Sequence, residues 1–512
     1  MKRDGAMTSL WQDKMPDYQP RPGSTVKTFD VMIVGGGVTG ITTALELQKH
    51  GKSCIVAEAY SLCFGTTGGT TAHLNTFMDT SYDKIQSKFG DDGARILASA
   101  ASSALDLYRS NIETYNIDCG FEQKDGYLYS QNEGQTKELE KILRASREAG
   151  VDVAYTDRIP VPMSFEKAIV YHEQAQIHPA RYVYALAKAF EEAGGIILQD
   201  CRVNKYSGDN IIEVETTRGT IKATRLIWAT HIPPGINLLH FRCAPYRSYA
   251  IAVRLKNDNY PDGLAYDMYD PYHYYRTQEV DGIKYLIAGG EDHKTAHEQN
   301  TEACFRKLEA HVRGFFDVEE VSFRWSSQYF EPSDGLAYIG HLPGNNDNVL
   351  VATGFGGNGM TYSHIAAITL TQLLMGSESQ YAKLFSPDRL KPVAGFSNFI
   401  KENADVVAQF VGKKISKEKL SSLSDLAAGE ARLIKYEGKS LALYKDESGE
   451  LHAINPTCTH AKCTVDWNTA EKSWDCPCHG ARYSADGDVL TGPALHKLEV
   501  VELEELVREK EE

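Results

Sequence analysis

Four cysteines and two histidines crowd into residues 458–479, near the end of the chain. They form two short motifs, Cys458-Thr-His460-Ala-Lys-Cys463 and Cys476-Pro-Cys478-His479-Gly480. The other six of the ten cysteines are scattered along the sequence. A chain of 512 residues can bury large cores without disulfide bonds. Such crowding therefore predicts two metal-binding loops that meet in space, rather than a disulfide framework.

The pattern of the two motifs narrows the kind of metal centre. Each motif offers one thiolate and one imidazole as a CxH or CxxH unit, from Cys458 with His460 and from Cys476 with His479. A Rieske 2Fe–2S centre replaces two of the four thiolates of an iron–sulfur cluster by imidazoles on one iron. Zinc is the alternative, but zinc sites usually pair Cys with Cys and His with His. We predict a Rieske cluster on these four ligands.

This segment resembles the Rieske proteins of cytochrome bc-type complexes. The resemblance implies a disulfide bond between the two remaining cysteines, Cys463 and Cys478, and a bond from the Tyr483 hydroxyl to a ligand sulfur. Ala481 lies where high-potential members carry a serine. Because a hydrogen bond to sulfur raises the cluster potential, we expect a lower potential here than in the serine-bearing proteins.

The start of the chain carries a pattern typical of dinucleotide binding. A strand, a GxGxxG turn, a helix and a second strand follow one another at residues 30–34, 35–40, 41–50 and 54–57. In such a turn Gly35 permits the tight bend, Gly37 admits a pyrophosphate and Gly40 allows close helix packing. Glu58 ends the second strand, where a carboxylate accepts hydrogen bonds from ribose hydroxyls and disfavours a 2′-phosphate.

Three later features favour FAD over NAD. Threonines and glycines at residues 65–71 offer donors to a ribityl–phosphate chain, Val203 follows a helix and strand at the adenine side, and a glycine turn at 354–361 precedes a helix. The predicted FAD contacts are Gly35, Gly37, Gly40, Glu58, Thr67, Thr70, Thr71, Val203, Gly354, Gly359, Met360 and Thr361.

Residues 29–385 resemble the D-amino-acid-oxidase-like flavoproteins, the class of glycine, sarcosine and amine oxidases. The matching segments are the glycine turn with Glu58, residues 175–179, residues 334–340 and the second glycine turn. Residues 227–230 lack the usual family glycine, and residues 328–332 lack an arginine found in glycine-oxidase-type members. The resemblance implies an α/β FAD-binding Rossmann-like domain interleaved with an α+β substrate domain.

The expected organisation is an N-terminal extension (1–28), the FAD-dependent domain (29–385), a linker (386–420) and an all-β Rieske domain (421–507). The substrate part is predicted at roughly 75–175 and 245–330. Because the extension is polar and rich in proline, we expect it to be partly ordered at best.

The sequence gives less information about the residues of the substrate pocket than about the cofactor sites. Tyr249, Tyr275 and Arg276 are candidates on predicted strands, and Arg247 and Arg276 are suited to a substrate carboxylate. His73 follows a segment that resembles the flavin attachment site of dimethylglycine-type dehydrogenases. Two readings stay open for it: covalent attachment, or a histidine that only lines the flavin.

Composition excludes some partners. A formal net charge of −15 disfavours nucleic acid. The sequence shows neither a secretory signal nor a transmembrane run, so we expect a cytoplasmic protein. The predicted function is a dehydrogenase that oxidises a small amine or amino-acid-like molecule by hydride transfer to FAD. Electrons then pass to the cluster and an external acceptor protein. The alternatives are a redox sensor or relay without its own substrate, and a flavin reductase fed by a donor protein through the cluster.

Overall fold

The structure is a computed structural model that describes residues 3–389, 426–436 and 439–502. Most of the predicted linker, 386–420, and the last residues of the predicted Rieske range, 503–507, lie outside the described residues. Within those ranges, no helix is both long enough and apolar enough to cross a membrane. The helices are α1 (Val38–Lys49), α2 (Thr66–Gly69), α3 (Tyr82–Thr114), α4 (Glu133–Glu148), α5 (Pro179–Glu192), α6 (Thr301–Phe315), α7 (Gly359–Leu374) and α8 (Gln380–Phe385).

The first sheet has a parallel centre, as the dinucleotide pattern predicts. Its order is β16-β17-β10-β1-β2-β7, with β8 and β9 attached beside β10, and β1 pairs in parallel with both β2 and β10. Four consecutive buried residues close β1, which is typical of a strand covered on both faces. Its strands are β1 (Thr28–Val34), β2 (Cys54–Ala57), β7 (Ile196–Leu198), β8 (Val203–Ser207), β9 (Ile212–Thr216), β10 (Gly219–Trp228), β16 (Tyr338–His341) and β17 (Val349–Thr353).

The second sheet has nine strands in the order β15-β11-β14-β13-β12-β4-β6-β3, with β5 beside β6. Its strands come from two separate stretches of the chain, so the two sheets are interleaved in sequence. They are β3 (His73–Leu74), β4 (Glu122–Ser130), β5 (Val153–Thr156), β6 (Lys167–Gln176), β11 (Cys243–Leu255), β12 (Leu264–Tyr266), β13 (Tyr274–Val280), β14 (Ile283–Lys294) and β15 (Val318–Pro332).

The C-terminal region consists of two small antiparallel sheets around its own buried cluster. The first sheet is formed by β18 (Ala431–Tyr436), β19 (Lys439–Lys445) and β20 (Leu451–Ile454). The second is formed by β21 (Asp466–Asn468), β22 (Ser473–Asp475), β23 (Arg482–Tyr483) and β24 (Val489–Thr491). The two cysteine–histidine motifs lie in the loops before β21 and between β22 and β23.

The N-terminal segment is more tightly packed than its polar composition indicates. Leu10 and Trp11 belong to the large hydrophobic core, and Asp4 and Ser9 are buried. The Trp11 indole donates a hydrogen bond to the Thr70 carbonyl. The expectation of a partly ordered extension is therefore corrected for these residues, because their few apolar and charged side chains find buried partners far along the chain.

Candidate redox site

A cavity of about 310 Å³ lies between the two large sheets. One end is formed by Gly35 and Glu58, which follow the carboxyl ends of β1 and β2, and by Val203 at the start of β8. The other end is formed by side chains of the second sheet, around Ser248, Tyr274 and the segment after β3. An elongated cavity with a nucleotide-type end and a separate polar end can hold a dinucleotide cofactor next to a small molecule.

The first end has the backbone geometry that a pyrophosphate requires. Gly35 has φ +115°, and a Cβ there would lie 2.4 Å from the Ala229 carbonyl oxygen, so only glycine fits. The Glu58 carboxylate accepts hydrogen bonds from the backbone N–H groups of Gly36 (2.6 Å) and Tyr60 (2.9 Å). Burial raises the pKa of Glu58, and these bonds act against that effect.

Most of the residues predicted to contact FAD line this cavity. They are Gly35, Gly37, Glu58, Thr67, Thr70, Thr71, Val203, Gly359 and Met360. Gly40, Gly354 and Thr361 lie behind the wall instead. Gly40 supports the turn, since a Cβ there would meet the Gly35 carbonyl oxygen at 1.9 Å. Gly354 turns the chain at φ +69°, and the Thr361 hydroxyl donates to the Asn75 carbonyl at 2.8 Å.

The second end of the cavity carries a group that we call the acidic tyrosine wall. Its members share the cavity surface and are polar or aromatic: Asp79, Ser248, Tyr266, Tyr272, Tyr274, Asp292 and Tyr329. Sequence reasoning missed all seven as pocket residues. They come from five strands and two loops, so no local pattern marks them as a set.

Each carboxylate of this wall accepts a hydrogen bond from a tyrosine hydroxyl. The Tyr329 hydroxyl donates to Asp292 at 2.9 Å, and the Tyr272 hydroxyl donates to Asp79 at 3.4 Å. The hydroxyls of Ser248 and Tyr274 are 3.2 Å apart. Burial raises the pKa of Asp292 to about 7, and the negative charge of Asp79 acts in the same direction.

Two tyrosines predicted for the pocket lie elsewhere. The Tyr249 hydroxyl hydrogen-bonds His293 at 2.8 Å, and the Tyr275 hydroxyl hydrogen-bonds His311 at 2.6 Å, both within the core behind the second sheet. Their neighbours Ser248 and Tyr274 face the cavity. Successive strand residues point to opposite faces, so a shift of one position reverses the assignment.

The two arginines predicted to meet a substrate carboxylate are also placed elsewhere. Arg276 is fully buried and donates to the carbonyls of Thr71 (2.7 Å) and Ala72 (2.8 Å). Arg247 is fully buried beside Ser326 and Asp475. Both guanidinium groups are therefore structural in position and do not line the cavity.

His73 lies on the cavity surface, between the two ends. Its ring packs edge-on against Tyr266 (5.4 Å between centroids) and Tyr274 (5.5 Å). Its Nε2 atom is buried without a hydrogen-bond partner among the described residues. Burial lowers the pKa of His73 well below its usual range, so the ring is neutral near pH 7.

The two cysteine–histidine motifs come together in the C-terminal region. Cys458 and Cys476 are fully buried, and the rings of His460 and His479 are 5.0 Å apart between centroids. A hydrogen bond from Cys476 lowers the pKa of Cys458, and the shared proton raises that of Cys476. The two thiols thus lie beside each other, and the two imidazole rings lie beside each other, where the two loops meet.

Four further residues that were singled out in the sequence lie next to these ligands. Cys463 and Cys478 form a disulfide bond between the two loops. The Tyr483 hydroxyl lies 3.2 Å from the Cys458 sulfur. Ala481 is buried and offers no side-chain hydrogen bond.

The C-terminal region is docked on the large cavity. Leu490, Thr491 and Gly492 form part of the cavity wall, and the carbonyl of Val489 accepts a hydrogen bond from the Tyr60 hydroxyl. The C-terminal region also contacts the end of the cavity around Glu58. Arg202, beside Glu58, donates a hydrogen bond to the Val489 carbonyl at 2.9 Å.

The cysteine–histidine loops contact the FAD-dependent domain directly. His460 Nε2 is 3.1 Å from the carbonyl oxygen of Gly235, and the preceding residue, Pro234, lines the cavity. The ring of His240 packs 4.6 Å from that of His460. Gln328, another cavity residue, donates from Nε2 to the Gly480 carbonyl at 2.8 Å.

A buried set of charges, here called the docking network, joins the N-terminal segment, the second sheet and the C-terminal region. Arg482 pairs with Asp4 (3.0 Å) and Asp475 (3.2 Å). Glu471 accepts hydrogen bonds from the backbone and hydroxyl of Ser326 (2.9 and 2.6 Å). The network holds three guanidinium groups and three carboxylates: Arg3, Asp4, Arg247, Glu471, Asp475 and Arg482.

The residues present fit both predicted cofactors. At the loops, His460 Nδ1 and both ring nitrogens of His479 are buried without partners among the described residues, as iron ligands lacking their metal would be. His460 Nε2 meets a backbone carbonyl, the usual second partner of a metal-bound imidazole. At the cavity, the glycine cradle and the buried Glu58 suit a dinucleotide.

Comparison with known proteins agrees with this arrangement. The profile of the FAD-dependent oxidoreductase family matches residues 30–373, and that of the Rieske [2Fe-2S] domain matches residues 417–502. YhfW of Bacillus subtilis (strain 168), a Rieske 2Fe-2S iron-sulfur protein, is 33% identical over 478 residues, which cover 93% of this chain and 94% of that protein.

One further relative and one solved structure match the part of the chain before the Rieske domain. Gamma-glutamylputrescine oxidoreductase of Escherichia coli (strain K12) is 24% identical over 372 residues, covering 69% of this chain and 85% of that protein. The crystal structure of glycine oxidase from Geobacillus kaustophilus superposes with a TM-score of 0.60 at 18% identity, covering 71% of this chain and 99% of that chain. The latter likeness concerns the fold alone.

Proposed function

Because the chain belongs to the FAD-dependent oxidoreductases and carries a Rieske [2Fe-2S] domain, we propose that it is a dehydrogenase for a small amine or amino-acid-like substrate. In the proposed direction, electrons leave the substrate, pass the two cofactors and reach an external acceptor protein. When bound, FAD supplies two-electron hydride chemistry and the cluster supplies one-electron transfer.

For FAD, we propose that the nine predicted residues on the cavity wall form its contacts. Gly35 and Gly37 would admit the pyrophosphate at the start of α1, whose first residues line the cavity. Glu58 would hold ribose hydroxyls, and Val203 would face the adenine. Met360, at the start of α7, would present a helix N-terminus to the ring system.

For the cluster, we propose Cys458, His460, Cys476 and His479 as the iron ligands. The Tyr483 hydroxyl would hydrogen-bond the Cys458 sulfur, and the carbonyl of Gly235 would orient the His460 ring through its Nε2 proton. The disulfide between Cys463 and Cys478 keeps the two loops together.

The contact between His460 and Gly235 is the observation that carries the proposed electron path. A predicted iron ligand thus contacts Gly235, and the residue before Gly235, Pro234, lines the cavity. The docking network and the Gln328–Gly480 bond hold this arrangement from two other sides. A relay fixed in this way supports direct transfer between the two cofactors without large movement of the small domain.

The test is an anaerobic screen on the purified holoprotein. Primary and secondary amines, amino acids and aldehydes are added singly while flavin absorbance and the electron paramagnetic resonance of the reduced cluster are followed. We expect one class to bleach the flavin and then to reduce the cluster in the same molecule. If a reduced ferredoxin reduces the flavin while every candidate substrate fails, the electron flow runs in the opposite direction and the proposal is overturned.

A further inference from the structure

The acidic tyrosine wall has the composition of a cation-binding surface. Its two carboxylates, Asp79 and Asp292, share the surface with four tyrosine rings. The rings of Tyr272 and Tyr274 lie 5.7 Å apart between centroids. Tyrosine faces attract ammonium groups through their quadrupole, and carboxylates attract them through charge.

One carboxylate oxygen of this wall is not satisfied by the protein. Asp292 Oδ2 accepts from Tyr329, and the Ser248 hydroxyl also stabilises the charged carboxylate, whereas the buried Asp292 Oδ1 has no hydrogen bond of good geometry among the described residues. An unpartnered buried carboxylate oxygen is costly unless a ligand supplies a donor. Asp79 is exposed where the cavity meets a smaller neighbouring pocket.

Positive charge is scarce on the cavity surface. Among the described residues that line the cavity, Arg202 is the single lysine or arginine, and it lies at the nucleotide end, stacked on Tyr60. Lys84 and Lys88 line the smaller pocket, where Lys84 pairs with Glu138 and Lys88 donates to the Asp334 carbonyl. A carboxylate-bearing substrate therefore meets two acidic side chains here, without the bidentate arginine that usually binds it.

We propose that this end of the cavity selects a carboxylate-free amine with two positive charges, a diamine, whose ammonium groups contact Asp79 and Asp292. The inference rests on the proposed function, since it names the substrate class of the same site. It excludes simple α-amino acids, whose carboxylate the wall repels. The tyrosine rings between the two acids would cover the alkyl chain of the diamine.

The test uses permanently charged ligands that cannot be oxidised as amines. Binding of butane-1,4-bis(trimethylammonium), butyltrimethylammonium and glycine betaine to the holoprotein is measured by calorimetry and by the change in the flavin spectrum. We expect the dication to bind about tenfold or more tightly than the monocation, and betaine to bind most weakly. Matched turnover assays compare putrescine, butylamine and ornithine.

Variants then locate the binding. Asp292→Asn and Asp79→Asn are each expected to weaken dication binding about tenfold, whereas Asp157→Asn, which removes an exposed charge outside the cavity, leaves it unchanged. Flavin content and thermal melting establish that each variant is folded. Asp292→Glu, which keeps the charge, restores part of the affinity if an asparagine variant loses its flavin.

The outcomes separate this inference from the proposed function. The inference is overturned if betaine binds as tightly as the dication or more tightly, or if neither asparagine substitution changes dication binding. This holds even if the protein oxidises another substrate. Dication binding that depends on Asp292, without flavin reduction by any amine, supports the inference and overturns the proposed function.

Discussion

The cluster loops and the acidic tyrosine wall represent two ways of building a site. The loops place all predicted iron ligands within residues 458–479, on one small domain. The wall collects side chains from residue 79 to residue 329, on strands and loops of one sheet. A metal centre of four strong bonds is lost with any one ligand, whereas a surface of many weaker contacts loses affinity in steps.

The sharpest test of this difference is removal of one predicted iron ligand. Cys476→Ala is expected to abolish the cluster, because the ligand set is incomplete without that thiolate. Iron analysis and the resonance signal of the reduced protein are expected to fall to background, while bound flavin remains. Cys119→Ser, at a buried cysteine outside both sites, serves as the control and keeps the iron. Full iron in the Cys476 variant would contradict the ligand assignment.

The next largest effect is expected at the docking network, which joins the two regions. Glu471→Ala leaves Arg3, Arg247 and Arg482 with too few carboxylates in a buried site, at a cost of about 3–5 kcal/mol. We expect the C-terminal region to undock, so that cluster reduction after rapid anaerobic flavin reduction slows markedly in stopped-flow measurements.

The matched control is Glu320→Ala, which removes an exposed partner of Arg254 and is expected to change stability by less than about 1 kcal/mol. Unchanged transfer in the Glu471 variant, with its lower melting temperature established, would show that docking is not needed for electron transfer.

A graded response is expected at the wall as the pH changes. Asp292 has a pKa of about 7 and faces Ser248, Tyr329, Asp79 and His273. The carboxyl is neutral below that pKa and charged above it, so dication affinity rises with pH, by about tenfold between pH 6 and pH 8. Calorimetry with a permanently charged ligand isolates the titration of the protein. A slope that persists in Asp292→Asn would assign the titration to another group.

The smallest effect is expected beside the cluster. Ala481→Ser adds a hydroxyl near the sulfurs and is expected to raise the reduction potential on the order of 40 mV, the equivalent of about 1 kcal/mol for one electron. Redox titration of the holoprotein measures the shift. An unchanged potential with an intact cluster signal would show that the added hydroxyl does not reach a sulfur.

The same difference explains what the sequence could predict. The cluster ligands and the glycine turn are local sequence patterns. In the structure the two cysteine–histidine motifs lie side by side, and the glycine turn lines the cavity. The wall was missed because its acids are distant in sequence. Tyr249 and Tyr275 were chosen on the correct strands but on the wrong face, since the alternation of a strand is visible in sequence while its absolute orientation is not.

Docking of the two regions was also beyond reach of the sequence. Trp11 and Asp4 lie in a polar segment whose partners are known only once the chain is folded. No local sequence pattern predicts that Asp4 pairs with Arg482, or that the loop at Gly235 contacts His460. Such contacts depend on tertiary packing, which overrides the local composition of each segment.

The pairing of Asp4 with Arg482 has a consequence for biosynthesis. The two residues are separated by 478 positions, so a ribosome needs tens of seconds to make the second after the first. During that interval the FAD-dependent domain can begin to fold, while Asp4 still lacks its guanidinium partner. The joined arrangement of both regions can therefore arise only after Arg482 has been translated.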